Sequence, residues 1–110
     1  MSVDQSRIVD IVSRDKEGRF FLNIVDHLNW TNPELHLKLL EDKINTYLDF
    51  LRSGEFYEKY PDAKGCPIEI CTMFRDAPTT DARRFLAKVS EIVETEGYTF
   101  SFKLLPPDRQ

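Results

Sequence analysis

Two hydrophobic periods alternate along this chain. Arg7 to Arg14 (R-I-V-D-I-V-S-R) is short and β-branched, which predicts a strand. Asp15-Lys16-Glu17-Gly18 follows as a turn, with glycine where a positive φ costs least. A second strand is expected from Arg19 to about Leu28. Its alternation sets Phe20, Leu22, Ile24, Asp26 and Leu28 on one face, and Phe21, Asn23, Val25 and His27 on the other. The two strands form a hairpin. The period then changes. Thr31-Asn32-Pro33-Glu34 opens a helix, with Thr31 and Asn32 equally good caps. Leu37, Leu40, Ile44, Tyr47, Leu48 and Leu51 recur at helical spacing until Ser53-Gly54 stops them. Residues 55–65 connect, with one helical turn expected before Tyr60-Pro61. A third strand runs from about Pro67 to Phe74. Thr79 or Thr80 caps a second helix striped by Ala82, Phe85, Leu86, Val89, Ile92 and Val93, which Gly97 ends. In the last strand Tyr98, Phe100, Phe102 and Leu104 alternate with Thr99, Ser101 and Lys103.

The order is ββαβαβ. Each helix carries one apolar stripe and so covers one face of one sheet. Successive right-handed crossovers in one direction put both helices on the same side. The expected class is α+β: a two-layer α/β sandwich, a four-stranded mixed sheet with two helices on one face. The simplest strand order is 1-2-3-4 with the first strand antiparallel, and the alternative inserts the third strand elsewhere. Residues 1–110 read as a single domain, with 1–6 a loose arm and 106–110 a tail. The uncovered sheet face would carry Phe21, Val25, Cys71 and Met73 among polar residues. That is more apolar than a solvated face requires. It suits either self-association or partial cover by the arm and tail.

Composition narrows the classes. At 110 residues, 41 % apolar and 31 % charged, the chain holds one core, and no apolar run approaches the ~18 residues of a membrane span. Fifteen Lys and Arg against nineteen Asp and Glu give a net charge of −4, the wrong sign for a general nucleic-acid binder. Neither a signal peptide nor an anchor fits the N-terminal pattern, so the expected compartment is the cytoplasm. Cys66 and Cys71 on one strand would lie roughly 16 Å apart, too far for a disulfide.

Candidate chemistry is sparse. Asp26 shares a face with Ile24 and Leu28, so its carboxylate is expected inside, where it needs a hydrogen-bond partner or a cation. It serves either as a structural cap or as an acid or base of raised pKa. His27 points the other way, and His36 is expected exposed, just off the helical stripe. Lys43 and Tyr47 are four apart on the first helix. Either Lys43 reaches Asp26, or it is a surface residue beside a core tyrosine. Asp26, His27, Lys43 and Tyr47 are therefore the candidate ligand-binding residues. Trp30, Phe56, Tyr57 and Tyr60, near the ends of that helix, either close the core or form an interaction surface. The histidine and cysteine spacings match no compact metal module, and the glycine-rich and nucleophile motifs are absent. No catalytic residue, metal or cofactor is expected.

Asp26-His27-Leu28-Asn29-Trp30, Lys43-Ile44-Asn45-Thr46-Tyr47-Leu48-Asp49-Phe50, Ser53-Gly54-Glu55 and Tyr60-Pro61 resemble the core of a family of small bacterial proteins known only as a domain of unknown function. The pattern D-H-L-x-W, K-I-N-x-Y-L-x-F-x-x-S-G-E and Y-P extends over about Asp10 to Phe102. The resemblance implies a bacterial source, a cytosolic single domain and no assigned reaction. It carries over no catalytic residues. Two functional expectations follow. The first is a non-catalytic protein-interaction or accessory module, bound to a protein partner or to itself as a homodimer, without nucleic acid or membrane. The alternative is a small-ligand-binding protein or minor enzyme built around Asp26, His27, Lys43 and Tyr47.

Overall fold

The computed structural model describes residues 11–105. Strand β1 (Ile11–Arg14) pairs antiparallel with β2 (Phe20–Asp26). The turn between them is tied by Asp15, whose carboxylate accepts from the Glu17 and Arg19 amides at 3.0 and 2.9 Å, with Gly18 at φ 88°. Helix α1 (Pro33–Arg52) follows, then a short helix α2 (Glu55–Lys59) and a 3-10 turn at Pro61–Ala63. Strand β3 (Ile68–Phe74), helix α3 (Thr80–Thr95) and strand β4 (Thr99–Leu104) complete the order. The sheet is β1-β2-β3-β4, with β2, β3 and β4 parallel. The expected strand order and mixed pairing are both present.

Two details differ from the expectation, where β2 ends and where Cys66 lies, and two fill in what it left general. The helical turn expected in the connector is the short helix α2, which starts at once because Gly54 at φ 83° ends α1 and lets the chain restart. Strand β2 stops at Asp26, where the carboxylate takes the Leu28 amide and bends the chain away. Cys66 lies in the turn before β3, not on it, and both cysteines are free. Of the two equally good caps, Asn32 caps α1: its side chain accepts from the Leu35 amide, with Pro33 first in the helix as that alternative had it. Thr79 caps α3 through the Ala82 amide at 3.1 Å. The expected strand residues Arg7–Asp10, the arm and the tail lie outside the described residues.

The core lies between sheet and helices. Leu22, Ile24, Ile70 and Phe74 from the strands meet Leu40, Leu48, Phe56, Leu86 and Val93 from the helices, all essentially sealed from water. Burial of this set is the main stabilising term. The opposite sheet face is laced rather than bare. Glu69 accepts hydrogen bonds from Thr99 at 3.1 Å and Ser101 at 2.5 Å and pairs with Arg19 at 3.5 Å. Asn23 donates to Ser13 at 3.0 Å. Phe21, Val25 and Met73 lie half-buried around this network.

Candidate functional site

The most organised polar cluster stands at the carboxyl end of β2, over the first turn of α1. Strand alternation turns Asp26 toward the helices, as expected, and the Arg75 amide from the end of β3 holds its carbonyl at 2.8 Å. Its Oδ1 takes the Leu28 amide at 3.0 Å. The chain then folds back. Asn29 Oδ1 accepts from the Thr31 amide at 3.1 Å, and the Thr31 hydroxyl donates to the same oxygen. This tight loop delivers Asn32 to the cap position, and α1 starts so that His36 swings inward over Asp26.

His36 is the group that sequence reasoning placed wrongly. It is 1 % exposed, not a surface residue. Its Nε2 lies 2.5 Å from Asp26 Oδ2, itself fully buried, and its Nδ1 lies 3.1 Å from the Asn29 carbonyl. Trp30 stacks on the imidazole, with ring centres 3.7 Å apart and planes 21° from parallel. The indole N–H donates to the Asp76 carbonyl at 3.2 Å and so pins the loop after β3. The D-H-L-N-W segment is thus a clasp around one histidine: Asp26 and Asn29 hold its two nitrogens and Trp30 covers its face. A signal for His36 existed. It stands four residues before Leu40, seven before Lys43 and eleven before Tyr47, on the inward helical stripe.

The protons of this cluster can be counted. A carbonyl only accepts, so Nδ1 carries a proton toward Asn29. A second proton must then lie between Nε2 and Asp26. Burial pushes the Asp26 carboxyl above its ordinary value, and the hydrogen bond and charge of His36 pull partly the other way. Whichever partner holds the proton, both ring nitrogens are spent inside the protein. No lone pair is left to act as a base on an outside molecule.

The other candidates are distributed. His27 is exposed on the far side of β2's end, so Asp26 and His27 form no dyad. Lys43 is fully buried, not a surface residue, with its ammonium 5.6 Å from the centre of the Tyr47 ring. Tyr47 is fully buried too, and its hydroxyl donates to the Asn23 carbonyl on β2 at 2.9 Å. The four aromatics divide between the ends of α1. Trp30 lies at the start, against Phe74. Phe56 is sealed at the other end, ringed by Tyr57 and Tyr60. A helix of this length separates the two groups by roughly 30 Å.

A cleft of about 460 Å³ opens beside the clasp, lined by His27, Asn29, Thr31, Asn32, Leu35 and Arg75, with His36 in its wall. It sits beyond the carboxyl ends of β2 and β3, where open parallel sheets often receive ligands. Asp26, Lys43 and Tyr47 do not line it. Among the described residues no three His, Cys, Asp or Glu side chains are arranged to hold a metal ion. Nor is any helix among them long and apolar enough to cross a membrane.

Fold and clasp together define a small α+β protein: a two-layer sandwich whose first crossover helix is latched to the sheet by a buried Asp–His pair. The chain belongs to a family of unknown function, DUF6572, whose model matches residues 1–106. No curated protein and no solved structure matches it.

Proposed function

We propose that this chain is a non-catalytic protein-interaction or accessory module, acting from the cytoplasm, whose working surface is the β4 edge of the sheet, which no described strand covers. The observation that carries this reading is the exposure of Phe102 (36 %) and Leu104 (55 %) on that edge strand. An edge strand offers unpaired backbone donors and acceptors, and apolar side chains beside them favour strand addition by another polypeptide. The chemistry supports it from the other side, because the one buried Asp–His pair has both ring nitrogens occupied.

A second reading rests on the cleft beside His27 and Arg75, which has the position and size of a small-ligand site. One comparison separates the two. Tagged wild-type chain and a Phe102→Glu, Leu104→Glu variant are each used to capture partners from host lysate, with recovered proteins quantified. A polypeptide held at near-equal stoichiometry by wild type and lost by the variant supports the module. Equal capture by both moves the surface away from β4. A small molecule whose binding is lost on His27→Ala and Arg75→Ala, but not on the β4 changes, supports the cleft.

A further inference from the structure

Resting on the proposal that β4 is the working edge, we infer that its partner is a second copy of this chain, joined β4 to β4 in antiparallel register about a two-fold axis at Ser101. Three observations lead there.

The first is the register of β4. The Leu105 amide donates to the Phe74 carbonyl at 2.7 Å, so residue 105 and alternate residues before it point their backbone groups inward to β3. Phe100, Phe102 and Leu104 therefore aim theirs outward, at an edge that no described strand covers. Directly opposed residues in an antiparallel pair share a sheet face, so the two-fold must fall on a residue, not between two. Centred on Ser101, it sets Phe100 against Phe102 of the second copy as a hydrogen-bonded pair. It sets the small Ser101 against itself where side chains come closest.

The second is charge on the strand. Lys103, its only charge, then faces Thr99 of the second copy, whose hydroxyl already bonds Glu69 at 3.1 Å. Each lysine is thus brought beside the other copy's Glu69.

The third comes from α3. Ala82, Leu86, Val89 and Val93 point into the core, and Phe85, Lys88 and Ile92 line the groove against α1. The flank away from α1, toward the free edge, carries Arg83, Ala87, Ser90 and Glu94 at steps of four, three and four. The same two-fold lays the two α3 helices antiparallel, side by side over the joined sheet. Arg83 then meets Glu94 of the second copy and Ala87 meets Ser90, twice over. Charge at the ends and small residues in the middle make this flank self-complementary.

The test is a charge exchange read by sedimentation and light scattering. Wild type should be a dimer at tens of micromolar. Arg83→Glu places two acidic pairs across the axis, and Glu94→Arg places two basic pairs. Each should raise the dimer dissociation constant roughly ten-fold. Both positions are exposed on a helix, and an unchanged circular dichroism spectrum will confirm folding. Mixing the two variants re-creates opposite charges in both contacts, so the mixture should dimerise as wild type does. A wild-type monomer overturns the inference, and so does a dimer indifferent to either reversal or a mixture that stays monomeric. The underlying reading fails separately. If wild type is monomeric yet loses another stoichiometric partner on Phe102→Glu, only self-pairing is wrong. If it is monomeric and nothing depends on β4, both are.

Discussion

The two ends of α1 are closed by opposite means. At its C-terminal end the seal is apolar. Phe56 meets Phe20 at 6.1 Å and 85°, Phe50 at 5.8 Å and 73°, and Tyr57 at 5.3 Å and 76°. These are edge-to-face contacts that need shape and little direction. At its N-terminal end the seal is polar. Asp26, His36 and Asn29 form a chain of directed hydrogen bonds that works only with the right number of protons. The apolar end tolerates any condition that preserves the hydrophobic effect. The polar end ties stability to pH, and a missing partner leaves a buried group stranded.

The largest expected effect lies at the apolar end. Phe56→Ala empties a fully sealed site in contact with four other rings and should cost about 4 kcal/mol. Urea unfolding at pH 5 and pH 8 should give the same loss. A deficit that changed with pH would break the contrast between the two ends.

Asp26→Ala comes next, at about 3 kcal/mol near neutral pH, because it leaves His36 buried without its carboxylate. Asp26→Asn sharpens the comparison. Its amide can donate to His36 Nε2 while its oxygen keeps the Leu28 amide, reproducing the protonated acid. It should fall within about 1 kcal/mol of wild type at neutral pH. The sign of the pH term follows from the raised pKa of Asp26. A carboxyl raised in the folded state contributes stability that is complete below its unfolded value of about 4 and lost as pH climbs through the folded value. Wild type should therefore lose ground against Asp26→Asn as pH rises from about 4. A wild type that gained instead would mean that the folded protein lowers this carboxyl.

The layers were readable in the chain, and the closures at the two ends of α1 only in part, since Phe56, Tyr57 and Tyr60 read either as core closure or as an interaction surface. Strand alternation placed Phe20, Ile24 and Asp26 inward, and helical spacing placed Leu40, Tyr47 and Leu51. Those periods sufficed for the layers and for β1-β2-β3-β4. His36 and Lys43 share that inward stripe, yet a stripe defined by apolar residues passes over them. What buries His36 is a loop geometry: Asn29 accepting from Thr31, and Asn32 taking the cap with Pro33 behind it. Thr31 and Asn32 are equivalent caps by residue type. The loop chooses between them: Thr31 gives its amide and hydroxyl to Asn29, and Asn32 is left to take the Leu35 amide. Strand β4 was legible as alternation but not as a surface, because the exposure of Phe102 and Leu104 depends on how far α3 covers them.

The smallest effect probes what Trp30 adds to the clasp. Its ring stacks on His36, and its N–H reaches across to the Asp76 carbonyl, joining the loops after β2 and β3. Trp30→Phe keeps an aromatic face over the imidazole and removes only that donor. Trp30 is half-buried, so water can take up part of the freed carbonyl's need. The expected loss is about 1 kcal/mol. It should be accompanied by faster amide exchange in residues 75–79, with Asp26 and the Leu28 amide still protected. If exchange rose equally around Leu28, the indole would be holding the whole clasp shut, and the polar end would depend on ring packing as heavily as the apolar end does.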